Sequence, residues 1–144
     1  MTKKFRIVGY GKDDGDMYHA QAHAYQAYQQ NQVTTAPPEK LVAMLYEGAI
    51  RFLTQAANAC KDKKTEETHH NLVKAQAIVA ELMGNVNRDT GEIGENLFLL
   101  YDFMYHRLIE ANLKKDIKRI EEVKELMVSL RETWLEAMQR AKAK

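Results

Sequence analysis

With a single cysteine, Cys60, in 144 residues, the chain has no intramolecular disulfide to rely on. That agrees with a reducing compartment and with Cys60 serving as a small apolar residue. Long apolar runs are missing too, and the N-terminus has no apolar core of a signal peptide, so the sequence predicts a cytoplasmic protein with no membrane insertion. Only two prolines and seven glycines interrupt the chain. Neither sign of charge dominates. At +1 the net charge gives no support to nucleic-acid binding, since a phosphate-tracking surface normally shows as a strong basic excess. What is present is 45% hydrophobic and 28% charged residues, the composition of one soluble globular domain rather than a disordered chain. A domain of this length buries roughly 68–70% of the surface its unfolded chain exposes, so folding requires neither disulfide nor metal.

Residues 1–16, MTKKFRIVGYGKDDGD, stand apart: KFRIVGY loosely alternates and GKDDGD reads as turn or loop. Residues 1–20 are assigned to an N-terminal extension, disordered or appended, and residues 21–144 to one helical domain. Within it Pro37–Pro38, KDKKTEE, NRDTGEIGE and ANLKKD leave four helical segments, roughly 38–61, 65–87, 92–111 and 116–141, with a shorter helical candidate at 17–31. Strand signals are nearly absent. The last segment places Ile120, Val123, Met127, Leu130, Trp134, Ala137 and Ala141 at alternating spacings of three and four, one continuous seam in which Trp134 reads as core. The 65–87 segment does the same with Leu72, Ala75, Val79, Leu82 and Val86. Thr65 and Asp116 are N-cap candidates, and Pro38 suits a first helical turn. Long amphipathic helices with short connectors predict an all-α, antiparallel four-helix bundle with a short additional N-terminal helix.

Two segments carry two apolar seams each. In 38–61 one seam is Leu41, Leu45, Gly48 and Phe52, the other Val42, Tyr46, Ala49, Leu53 and Cys60. In 92–111, Ile93, Leu97, Leu100, Met104 and Leu108 are flanked by Phe98, Tyr101, Tyr105 and Ile109. Two readings fit. Each helix touches two neighbours, or part of its apolar surface forms a groove for a partner, where tyrosines and methionines suit helices of varied sequence.

Catalytic chemistry is hard to find. Glu66 with His69 and Glu67 with His70 match the i, i+3 ligand pairs of di-iron bundles, but such sites need the motif on two helices and two further glutamates. Here both pairs open one helix, so a solvated helix start is favoured over a metal site. His19 and His23, four apart, read as a surface face. No phosphate-binding loop, nucleophile elbow, CxxC pair or glycine-rich dinucleotide turn occurs, so neither enzyme nor cofactor is predicted. Gly48, inside a helix at about 1 kcal/mol relative to Ala, points to a close approach by a neighbouring backbone or a partner.

Four blocks in order, YQQNQVTTAPPEKLVAMLYEGAIRFL, NLVKAQAIVAEL, GEIGENLFLLYDFMYHRLIEANLKKD and EEVKELMVSLRETWLEAM, make residues 24–141 resemble the FliS family, the cytoplasmic flagellin export chaperones of bacterial flagellar type III secretion. Residues 1–20 extend beyond the usual family start, and Pro37 stands where the family usually offers a capping serine. The resemblance implies a non-enzymatic chaperone that binds the disordered C-terminal segment of flagellin and prevents premature polymerisation. It also implies delivery of flagellin to the export gate. By the same resemblance Tyr25 and Tyr28 belong to an N-terminal segment that covers the client surface in the free protein, moves aside on binding and docks on the FlhA component of the gate. Matching positions give a client site of Leu45, Tyr46, Gly48, Ala49 and Phe52, then Asn71 and Gln76, then Asn96, Tyr101, Tyr105, Leu108 and Asn112. The aromatics would anchor and the amides would bond extended client backbone. Three alternatives stay open beside this: Tyr25 and Tyr28 as the fixed packing face of a short helix, a homodimer when free, and a flagellar regulatory adaptor holding an anti-sigma or assembly factor.

Overall fold

The structure, a computed structural model, describes residues 38–143. Four helices follow one another: α1 Pro38–Lys61, α2 Thr65–Gly84, α3 Glu92–Lys114 and α4 Ile117–Ala143, with one 3-10 turn, Arg88–Thr90, before α3. The helix candidate at 17–31, with His19, His23, Tyr25, Tyr28 and Pro37, lies outside the described residues. Among the described residues there is no strand, and the predicted four-helix bundle is what the chain forms.

Each helix packs antiparallel to its sequence neighbour, and α4 closes the ring against α1. The pairings give the direction: the Trp134 indole donates to the Glu39 carbonyl at 2.9 Å at one end, and the Cys60 thiol donates to the Lys115 carbonyl at 3.2 Å at the other. Into the centre go Leu45, Leu53, Leu72, Ile78, Leu108 and Ile120, none more than 2% exposed. Burying each stabilises the fold by about 1.5–3 kcal/mol relative to leaving it in water. Alanines let the helices approach closely, with Ala49, Ala56 and Ala57 on α1 meeting a core that includes Ala75 and Ala80 of α2.

The helix ends show how short connectors reverse the chain. Beyond α1, Lys63 takes a left-handed backbone, φ 61°, while the Lys64 N–H bonds the Ala59 carbonyl and the Lys63 N–H bonds that of Cys60. That is a Schellman cap with lysine at the position glycine favours. Lys115, φ 49°, ends α3 in the same way, with the Asp116 N–H bonding the Ala111 carbonyl. Asp116 then caps α4, its carboxylate accepting from the Lys118 N–H at 2.9 Å, as the sequence predicts. Thr65 does not cap α2. The chain enters that helix straight from the Lys63 turn, Lys64 occupies the N-cap without a side-chain bond, and Thr65 is already helical. Glycine matters most before α3: Gly91 sits at φ 100°, and a Cβ on Gly94 would run into the Asn87 carbonyl and the Thr90 hydroxyl.

Three boundaries shift. α2 ends at Gly84, so Val86 packs from the connector; α3 runs on to Lys114; and the α4 seam is buried only as far as Met127. Leu130 and Trp134 are half-buried, and Ala137 and Ala141 are exposed, so Trp134 is a rim residue rather than a core one.

Candidate functional site

Most of the residues assigned to a client site turn inward. Leu45, Tyr46, Gly48 and Ala49 on α1 are buried, as are Tyr101, Tyr105 and Leu108 on α3. Both seams of α1 are taken up because that helix lies between α2 and α4. The Tyr46 and Tyr101 hydroxyls bond each other at 2.6 Å. Burial pushes both hydroxyls above the ordinary tyrosine value; the bond raises Tyr101 further and pulls Tyr46 back. The amides Asn71 and Gln76 are also buried, and the Asn71 amide donates to the Glu67 carbonyl of its own helix at 3.0 Å. Three of the assigned residues reach solvent: Asn96 is exposed, and Phe52 and Asn112 are half-buried. Arg51 and Lys74 place their charges 5.2 and 5.5 Å from the Phe52 ring centroid, keeping that ring at a polar rim.

The outer face of α3 holds what the sequence reading missed. Glu92, Asn96, Leu99, Phe103, His106, Glu110 and Leu113 follow one another at spacings of four and three, and all are exposed. The large hydrophobics exposed among the described residues all lie on this helix: Ile93 at 81%, Leu99 at 52%, Phe103 at 39% and Leu113 at 80%. Arg107 lies 4.8 Å over the Phe103 ring, and Arg88, held by two bonds to Glu95, lies 3.9 Å over Phe98. α3 thus has a buried seam on one side and, on the other, Leu99, Phe103 and Leu113 exposed between polar residues.

Beside the apolar core, ion pairs tie α3 to α4 near their connector. Arg107 reaches Glu110 and Glu122 at 3.1 and 3.3 Å, and Arg119 reaches Glu110 at 3.4 Å and also Asp116. Burial works to raise the Asp116 carboxyl. The N–H groups of Lys118 and Arg119 and the Arg119 guanidinium outweigh it and hold the carboxyl below its ordinary value. At the same end Asn112 bonds His69 at 2.9 Å and accepts from the Lys115 ammonium at 2.8 Å. No group of three or more metal-ligating side chains converges among the described residues, and His69 is engaged with Asn112 instead.

The family model described as flagellar protein FliS matches residues 21–141. The chain belongs to the FliS family. Within it, the flagellar secretion chaperone FliS of Bacillus subtilis is 41% identical over 115 residues, covering 80% of this chain and 86% of that protein. The flagellar secretion chaperone FliS of Escherichia coli is 32% identical over 123 residues, covering 81% and 90%. A solved structure, described as a flagellar chaperone from bacteria, superposes with a TM-score of 0.67 at 24% identity over 82% of this chain and 97% of its own, and bears on the fold alone. The described helices include none long and apolar enough to cross a membrane.

Proposed function

We propose that this FliS-family chain is a cytoplasmic, non-enzymatic export chaperone that binds the C-terminal segment of flagellin, keeps it from polymerising and hands it to the flagellar export gate. The observation that carries the reading is the exposure of Leu99, Phe103 and Leu113 along one outer face of α3, a helix whose other side is core. Exposed apolar surface in a soluble protein marks a place where a partner sits. A disordered client segment that becomes helical can lay its apolar face along such a stripe, and its ordering offsets part of the gain, which keeps the complex reversible. Asn96 lies on the stripe and extends the site toward extended client backbone. Phe52 and Asn112 are the other assigned residues that reach solvent; Leu45, Tyr46, Gly48, Ala49, Asn71, Gln76, Tyr101, Tyr105 and Leu108 are buried.

The start of α1 supports a role for the preceding segment. The Glu39 carbonyl is bonded to the Trp134 indole where the α4 seam is no longer buried, so α1 starts beside half-buried Trp134. Tyr25 and Tyr28 are proposed to cover apolar surface there, to leave when flagellin binds, and to present the loaded chaperone to FlhA. A homodimer of the free protein would use the same apolar surface.

Calorimetric titration of the full chain with the C-terminal segment of its own organism's flagellin tests this. One-to-one binding with a negative heat-capacity change is expected, because apolar burial leaves that mark. Absence of binding by folded protein would remove flagellin as client and favour a regulatory partner.

A further inference from the structure

The two helix reversals at one end of the bundle share an unusual choice of residue. Among the described residues, Lys63 and Lys115 alone hold a left-handed backbone without being glycine. Each stands where a Schellman-type cap favours glycine, so each connector is less stable than its glycine version. The Cys60–Lys115 bond and the Asn112–His69 bond bring the two connectors together at this end. Six lysines gather there, Lys61, Lys63 and Lys64 on one connector and Lys114, Lys115 and Lys118 on the other, on a chain whose total charge is only +1.

The pairing of charges sharpens the polarity. Asp116 and Glu110 are taken by Arg119 and Arg107, whereas Lys61, Lys63, Lys64, Lys114 and Lys118 are exposed and form no ion pair among the described residues. Asp62, Glu66 and Glu67 are the opposing acids left there without a counter-ion among the described residues. Leu113, 80% exposed, lies next to Lys114. Residues strained at a tip where a neutral alternative exists point to a use for their charge.

We propose that this end of the bundle is a docking face for the anionic lipid surface of a bilayer, on which the bundle stands end-on without inserting a helix. Lysines in place of arginines favour this partner over an acidic peptide: a hydrated ammonium suits diffuse attraction to many headgroup phosphates, whereas carboxylate recognition is best served by the guanidinium fork. Standing this way, the chaperone keeps the Pro38 end of α1 and the uncovered part of α4 directed away from the bilayer.

Co-sedimentation of the full chain with vesicles of phosphatidylethanolamine containing phosphatidylglycerol tests the proposal, with pure phosphatidylcholine vesicles as the comparison. Binding to the anionic vesicles alone is expected, falling with added salt and about fivefold for each lysine neutralised. Lys63→Gly is the decisive variant, because it should raise the melting temperature while weakening vesicle binding. Lys61→Gln/Lys64→Gln/Lys114→Gln/Lys118→Gln should abolish binding in a protein that melts as the parent does. Equal binding to both vesicle types, no binding by the parent chain, or undiminished binding by the quadruple variant would overturn the proposal. So would tight binding of a polyglutamate peptide by a protein that ignores vesicles, which would assign the face to an acidic protein.

Discussion

The hydroxyls of Tyr46 and Tyr101 meet at 2.6 Å inside the bundle, joining α1 to α3 across its diagonal. Both side chains are almost wholly buried, so each hydroxyl depends on the other for its bond. Tyr46→Phe or Tyr101→Phe alone is expected to destabilise the protein by about 1–3 kcal/mol, because the surviving hydroxyl stays buried without its partner. The double variant should lose less than the sum of the two. Urea denaturation of the three variants measures this.

The same pair predicts a loss of stability at high pH. Burial raises both hydroxyls above the ordinary value of 10.0. A group whose folded value is raised gives stability that is fully present below the unfolded value and disappears as pH climbs toward the folded one. The urea midpoint should therefore fall above about pH 10. In Tyr46→Phe/Tyr101→Phe that fall should be reduced.

Asp116 gives the opposite dependence. Its carboxyl is held below the ordinary value, against the effect of burial, by the first N–H groups of α4 and by Arg119. Its contribution is present above the unfolded value and is lost as pH drops through the folded one. Asp116→Ala should lower the melting temperature at neutral pH, and the difference from the parent should shrink below about pH 4. Melting curves across that range decide it.

Gly94 tests the entry to α3. Since a Cβ there would overlap the Asn87 carbonyl and the Thr90 hydroxyl, Gly94→Ala should force the Arg88–Thr90 turn off the helix. A loss of about 1–3 kcal/mol is expected, typical of overpacking. Hydrogen exchange should show the change concentrated at residues 87–95.

The architecture was readable because period and punctuation agreed. Leu72, Ala75, Val79 and Leu82 announce one face of α2, and KDKK and ANLKKD mark the reversals on either side of the bundle end. Less readable were features set by backbone geometry. A lysine in a left-handed cap looks like any other lysine in a charged run, so Thr65 drew attention as a cap that the Lys63 turn made unnecessary. The α4 seam keeps its period through Ala141, yet period says nothing about where the neighbouring helices stop covering it.

The site was harder still. α3 is apolar around much of its circumference, and spacing alone does not tell which seam faces the bundle. Tyr101, Tyr105 and Leu108 stand on the seams that spacing picks out, whereas Leu99 and Phe103 fall between them and were passed over. Only the packing of α2 and α4 against α3 separates them, burying the first set and leaving the second in solvent.

The central claim is that the outer face of α3 receives flagellin, and the most direct test is calorimetric titration of the flagellin C-terminal segment onto Leu99→Ser/Phe103→Ser beside the parent chain. Both side chains are exposed, so the variant should melt as the parent does, while its affinity should fall by about tenfold or more if these are anchoring contacts. An affinity equal to the parent's, measured on variant protein of unchanged melting temperature, would contradict the account and move the client to another surface of the bundle.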